Sequence, residues 1–284
     1  GDVLIATMKL ILFSMNCFGR MQTACGLMAL EVHPLHKKQG AALEMIRYFE
    51  DYARRHGALL TLLLPFQISF YRRMGYGFAG KLYEYHLPTA VLPKPDGEAR
   101  RHLRLLQPGD FDRVLACHSR FAAQNHGMVE KFEEEVRAAR TDVQVRRIGY
   151  CADDGTLRGY VAYRFESASD TNYTRNRLSV EELVYDDGVV LRALLGALKL
   201  QEDLAQTVRL RTGEEDFHHL LEDPQDVSGN YIDYGFLQTN VSAIGTMFKL
   251  LDPAAFVTAT AYRTLPQGTL TAAFCYRDEL AHRD

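Results

Sequence analysis

From His36 the chain reads His36, Lys37, Lys38, Gln39, Gly40, Ala41, Ala42, Leu43, a run in which cationic side chains lead into small residues. Positive charge beside backbone stripped of bulk suits a multiply charged anion of pyrophosphate size. Helical spacing starts at the same point, with Leu43, Ile46, Tyr48, Phe49, Tyr52 and Ala53 recurring at helical intervals. Unpaired N–H groups and the positive end of a helix dipole would therefore face the turn. Taken alone, a basic glycine-containing turn before a helix reads equally as a solvated loop. The other reactive group of interest is the Tyr71 hydroxyl, in a stretch (68–74) that reads as a short helix ending at Gly75. A phenol with a pKa of about 10 can give a proton to a leaving group of comparable basicity. Its neighbours Phe70 and Tyr76 show how often such aromatics only fill space.

Other reactive side chains lead less far. Glu31 lies in a strand, where it is either a solvent-facing carboxylate or a base acting through water. His218 and His219 are adjacent in an acidic stretch, cannot face one partner together and read as surface residues. Glu130, Glu133, Glu134 and Glu135 read as the solvated side of a helix over 129–139. The five cysteines, Cys17, Cys25, Cys117, Cys151 and Cys275, are widely spaced without a C-x-x-C pair, so neither a disulfide framework nor a metal site is indicated.

Around these groups the elements fall into order. Residues 3–14 and 20–30 read as strands joined across 15–19, where Asn16 and Gly19 supply turn chemistry. Pro34 closes the strand, a helix runs from Ala41 to a cap at Gly57, and 59–64 is an apolar strand stopped by Pro65. After a strand over 78–87, Pro88, Pro93 and Pro95 mark a linker. A second series follows: a strand at 103–106, a helix capped by Asp110, the helix over 129–139, strands over 143–151, 157–165 and 178–185, and a helix over 189–204. Where the first series has its basic turn, this one has Asp186, Asp187 and Gly188, which repel a diphosphate. Residues 245–257 read as a strand and a helix start, and 268–276 as a further strand.

The strand, the turn from Lys37 to Ala42, the helix, the second strand and the segment FYRRMGYG occur in the order of the GNAT superfamily of acetyltransferases. The longer run PFQISFYRRMGYG, followed by EYHLPTAVLPK, resembles the Eis (enhanced intracellular survival) branch. The resemblance is strongest over residues 8–95. It departs at Lys37 and Lys38, where the family usually has arginine, so forked contacts become point-charge contacts.

The resemblance implies an α+β fold: a mixed, mostly antiparallel sheet with flanking helices, duplicated as two acetyltransferase-like domains and followed by the start of a sterol carrier protein-like domain. The limits expected are 1–88, 89–240 and 241–284, the second domain being degenerate and the third incomplete. It further implies an N-acetyltransferase that moves acetyl from acetyl-CoA to a primary amine by direct attack in a ternary complex, the acceptor being an aminoglycoside, a polyamine or a lysine side chain. Backbone at Leu30, Glu31 and Val32 would pair with the pantetheine arm. Amides of Lys38, Gln39, Gly40, Ala41, Ala42 and Leu43 would cradle the pyrophosphate, Lys37 and Lys38 adding charge. Phe66 and Gln67 would touch the cofactor, and Tyr71 would act as general acid. The family's base is a C-terminal carboxylate to which Asp284 is not equivalent, and its domain begins with a strand and two helices before Gly1, so both ends are expected to be truncated. A bacterial, cytoplasmic protein that forms a homo-oligomer when full length is also implied. The alternative is a non-catalytic CoA-binding or assembly module on the same fold.

Composition narrows the partners. A net charge of -3 spread over 284 residues favours no nucleic-acid surface. No stretch reaches the roughly 18 uninterrupted apolar residues of a membrane span. Residues 3–18 are apolar, but Lys9 interrupts them and no small-residue cleavage site follows, so a signal peptide is not expected.

Overall fold

The first hairpin turns on two residues. Phe18 and Gly19 both have positive φ, 54° and 89°, which a tight hairpin requires, and Asn16 Oδ1 accepts the Gly19 N–H at 2.8 Å. In the computed structural model, which describes residues 3–229, 232, 234–260 and 275, this hairpin joins β1 (Ala6–Cys17) to β2 (Arg20–Val32). Next come α1 (Ala41–Arg55), β3 (Leu60–Leu63), the short α2 (Ile68–Arg72) and β4 (Gly77–Phe78). They are followed by β5 (Lys81–Pro88), α3 (Gly97–His102), β6 (Leu103–Leu105), α4 (Phe111–Gln124) and α5 (Glu133–Thr141). Then come β7 (Arg146–Cys151), β8 (Leu157–Ser167), β9 (Asn176–Tyr185), α6 (Gly188–Lys199) and β10 (Thr207–Thr212). The last are β11 (Val241–Ile244), β12 (Met247–Leu250) and α7 (Pro253–Ala259). No helix among the described residues is long and apolar enough to cross a membrane.

The chain divides into two units. The first takes residues up to 80, 122–132 and those from 245 on; the second takes 81–121 and 133–244.

In the first unit the strand order is β1-β2-β3-β12-β4. Only β2 and β3 run parallel; the other neighbours are antiparallel. The apolar stripe of α1, Ile46, Phe49 and Ala53, is buried on one face of this sheet against Cys25, Leu27, Leu63 and Met247. Each such side chain removed from water stabilises the unit by about 1.5–3 kcal/mol. The helix ends as its sequence directs: Gly57 takes φ of 72°, and the Ala58 N–H returns to the Ala53 carbonyl at 3.0 Å. The opposite face buries Met15, Cys17, Ala24 and Leu60, with Phe248 and Leu250 of β12 packed beside them.

The second unit holds a seven-stranded sheet in the order β11-β5-β10-β9-β8-β7-β6. Its core packs Tyr85, Leu87, Leu178, Val208 and Leu210 against α6, a helix buried along almost its whole length from Val190. All five cysteines are free.

Several expected limits are redrawn. The apolar stretch read as one strand over 78–87 is two, in different sheets, because Tyr83, Tyr85 and Leu87 belong to the second core. The first boundary therefore falls after Gly80, and the proline-rich stretch lies within the second unit, where the buried Thr89 hydroxyl donates to the Ala205 carbonyl at 2.7 Å. The strand at 247–250 forms where it was expected, yet it pairs with β3 and β4 and so completes the first sheet. The strand expected over 268–276 lies, Cys275 excepted, outside the described residues. Helix α5 starts at Glu133, since Val129 bridges to Met15 and Glu130 donates to the Ser14 carbonyl. Asp110 does not cap α4 directly; it ends a 3-10 turn, and its carboxylate accepts the Gln107 N–H at 2.9 Å.

Candidate active site

The site begins where two parallel strands part. Pairing of β2 with β3 runs from Ala24 opposite Leu60 to Leu27 opposite Leu63 and stops there, while β2 continues to Val32 with β1 on its other side. Ala29 sits at a register shift with φ of 50°, a bulge that an alanine adopts only under strain. Beyond Leu27, the β2 edge that faced β3 is therefore unpaired among the described residues. That edge is suited to an amide-bearing chain lying alongside it as another strand would.

The turn opposite is built to leave amides open. Lys38 and Gly40 take φ of 62° and 90°, and Gly40 occupies the N-cap of α1 with no side chain to accept a hydrogen bond. The Glu44 N–H makes the first helical bond, to the Gly40 carbonyl at 3.1 Å. The N–H groups of Ala41, Ala42 and Leu43 are left facing outward with the dipole behind them. Lys37 and Lys38 are exposed, and neither is in an ion pair among the described residues.

Between these two edges lies a cleft of about 830 Å³. Leu30, Glu31 and Val32 form one wall, and Lys37, Lys38, Gly40, Ala41, Ala42 and Leu43 form the other. Phe66 and Gln67 close it from the start of α2. The structure thus gathers these residues, expected separately from sequence, around one space. Glu31 is exposed at the wall.

Two expected residues sit elsewhere. Gln39 does not line the cleft; its side-chain amide donates to the Leu35 carbonyl at 3.3 Å and braces the turn from outside. Tyr71 is 3% exposed and also absent from the lining. It lies behind Phe66 and Phe70, whose rings stand 5.5 Å and 5.0 Å from its own, and 6.0 Å from the Tyr76 ring. Burial pushes its pKa above the ordinary phenol value, and its hydroxyl has no hydrogen-bond partner among the described residues. Sequence reasoning missed Phe70, Arg73 and Met74 as lining residues. Their spacing from Phe66 and Gln67, one turn on for Phe70 and about two for Arg73 and Met74, was the available signal.

Comparison with known proteins bears on the fold. Residues 1–79 match a family model described as an acetyltransferase (GNAT) domain, and residues 126–237 match a second model of that description. No protein of curated function matches the sequence. Among solved structures, a GCN5-related N-acetyltransferase from Kribbella flavida is similar with a TM-score of 0.70 at 22% identity, over 92% of this chain and 60% of that one. One from Anabaena variabilis ATCC 29413 gives 0.70 at 14%, over 86% and 59%. Eis1 from Mycobacterium abscessus gives 0.71 at 21%, over 92% and 66%. The chain spans about 60% of the length of the first of these. It has the mixed α+β GNAT fold, with two GNAT acetyltransferase domains, a fold that generally binds acetyl-CoA.

Proposed function

We propose that the first of the two GNAT domains binds acetyl-CoA in the cleft at Gly40 and passes its acetyl group to a primary amine. One observation carries the reading: among the described residues, an uncapped helix N-terminus with two lysines in no ion pair faces, across about 830 Å³, a strand edge without a partner. A diphosphate on the amides of 41–43 and a pantetheine arm along 30–32 would use both features at once.

In that arrangement the amine nitrogen attacks the thioester carbonyl, a C–N bond forms, and the C–S bond breaks. The departing thiolate takes a proton from Tyr71, whose hydroxyl reaches it only once the Phe66 and Phe70 rings in front of it move aside, and the attacking amine loses one, with Glu31 the exposed carboxylate available to receive it through water. A phenol is neutral at pH 7, as a donor must be, and burial only raises the Tyr71 pKa further. The acceptor, by resemblance to the Eis branch, is an aminoglycoside, a polyamine or a lysine side chain.

Equilibrium titration with acetyl-CoA tests the reading. Saturable binding is expected, weakened about 10-fold or more in the Lys37→Ala, Lys38→Ala double variant, as for the loss of contacts to a charged ligand. Absence of binding, or a double variant that binds equally well, refutes it.

A second reading, a CoA-binding module without turnover, is favoured by the withdrawal of Tyr71 from the cleft lining. Release of free CoA across a panel of amines separates the two. Binding without release on every amine supports the module.

A further inference from the structure

The first unit contains a buried ion pair that the cleft itself does not use. Lys249 of β12 is 5% exposed and Glu50 of α1 is wholly buried. The lysine Nζ donates to both carboxylate oxygens at 2.9 Å, and to the Met74 carbonyl at 3.1 Å. Met74 lines the cleft, just past α2. The ammonium also stands 6.0 Å from the centre of the Tyr76 ring, and the Tyr76 hydroxyl is 3.1 Å from Thr61 Oγ1 on β3. At Gly75, φ is 86°, and a Cβ there would meet Lys249 Cε at 3.3 Å, so the bare backbone is what admits the lysine stem.

We infer that Lys249 is a positioning residue for the cleft, clamping the helix that carries Phe70 and Tyr71 to the helix that carries the open amides. Its three acceptor atoms come from just those two walls, Glu50 from α1 and Met74 from the end of α2. Stability alone does not account for the choice, because an apolar pair of similar volume commonly holds a core as well as a buried ion pair does. What an apolar pair cannot do is hold the Met74 carbonyl at a set distance from α1. The assignment rests on the reading of the cleft as an acetyl-CoA site.

The test compares the 284-residue chain with its Glu50→Leu, Lys249→Met double variant, which removes both charges and leaves neither buried alone. Acetyl-CoA affinity and amide exchange are measured on both proteins, with thermal melting as the control. The expected result is a folded variant melting near the parent, binding acetyl-CoA about 10-fold more weakly because the walls have shifted, with faster exchange confined to 66–76. A folded variant with parental affinity and parental exchange overturns the assignment. So does one that does not fold, since the pair is then structural. Lack of acetyl-CoA binding by the parent chain, with faster exchange at 66–76 in the variant, refutes the cleft reading and leaves the clamp between the two helices standing.

Discussion

The N-termini of α1 and α6 occupy corresponding places in their two units, each following a strand that has parted from a parallel neighbour. In the second unit β9 pairs with β10 only from Arg177 to Ser179, much as β2 pairs with β3 only as far as Leu27. There the likeness ends. Gly40 leaves the α1 amides open, whereas Asp187 caps α6 with its own carboxylate, accepting the Val189 and Val190 N–H groups at 2.9 Å and 3.0 Å. Arg158 balances that carboxylate at 2.5 Å. The next short helix buries a phenol in the first unit, Tyr71, and a plain phenyl ring in the second, Phe217. In the second unit one cavity of about 600 Å³ lies against β6, β7 and α4, and the pocket that does reach Gly188 beside Asp187 holds only about 20 Å³. Two copies of one layout thus differ in whether the helix supplies its own anion or waits for one. A cap stabilises a helix, and an open N-terminus binds.

Four changes break or sharpen this contrast. Tyr71→Phe makes the first unit resemble the second, and should lower kcat about 1,000-fold as loss of a general acid does. Acetyl-CoA affinity should stay within about 2-fold, as a titration would show, because only a hydroxyl is lost. Gly40→Asp gives α1 the carboxylate that α6 already has. It should weaken acetyl-CoA binding about 100-fold, nearly 3 kcal/mol, by setting like charge against the diphosphate.

Asp187→Ala removes the closed cap. The second unit should lose about 1 kcal/mol in urea unfolding, with acetyl-CoA binding unchanged. An affinity that moved with Asp187 would end the claim that only one N-terminus serves as a site.

Titration should act with opposite sign on the buried neutral groups of the first unit and on the cap of α6. In the first, burial pushes the Cys25 thiol up from 9.0 to about 11 and raises Tyr71 above 10.0. Groups raised in the fold stabilise it fully below their unfolded values, and that stability is lost as pH rises through the folded ones. In the second unit, the Val190 N–H, with Arg158, holds Asp187 below 3.8, so its contribution is present above that value and lost as pH falls through the lowered one. Amide exchange followed against pH should show alkali loosening the chain around Cys25 and Tyr71, as around Cys117 of the second unit, whose thiol burial also pushes up to about 11, and acid fraying the start of α6.

Much of the candidate site was legible because its rules are local. A proline that stops a strand, a glycine at a positive φ and an apolar repeat that starts a helix all act within a few residues, so the path from β2 through α1 to α2 could be read. Asp187 was legible as a charge unsuited to diphosphate, though its role as a cap needed coordinates. Tyr71 was legible as a residue type and not as a position, because spacing on a five-residue helix does not tell a cleft-facing ring from one beneath it.

The unit boundaries resisted sequence reading for a different reason. Pro88, Pro93 and Pro95 look like a linker, and only the burial of Tyr85, Leu87 and Thr89 assigns the adjoining chain to the second core. The sequence by itself determined the open turn, the order of strands and helices about it, and the acid in the second copy. Tertiary structure alone decided that β12 pairs with β3 and that Lys249 meets Glu50 across 199 positions of chain. Backbone dihedrals and side-chain periods are settled by near neighbours, whereas strand partners and buried ion pairs are chosen by which distant surfaces can exclude water together.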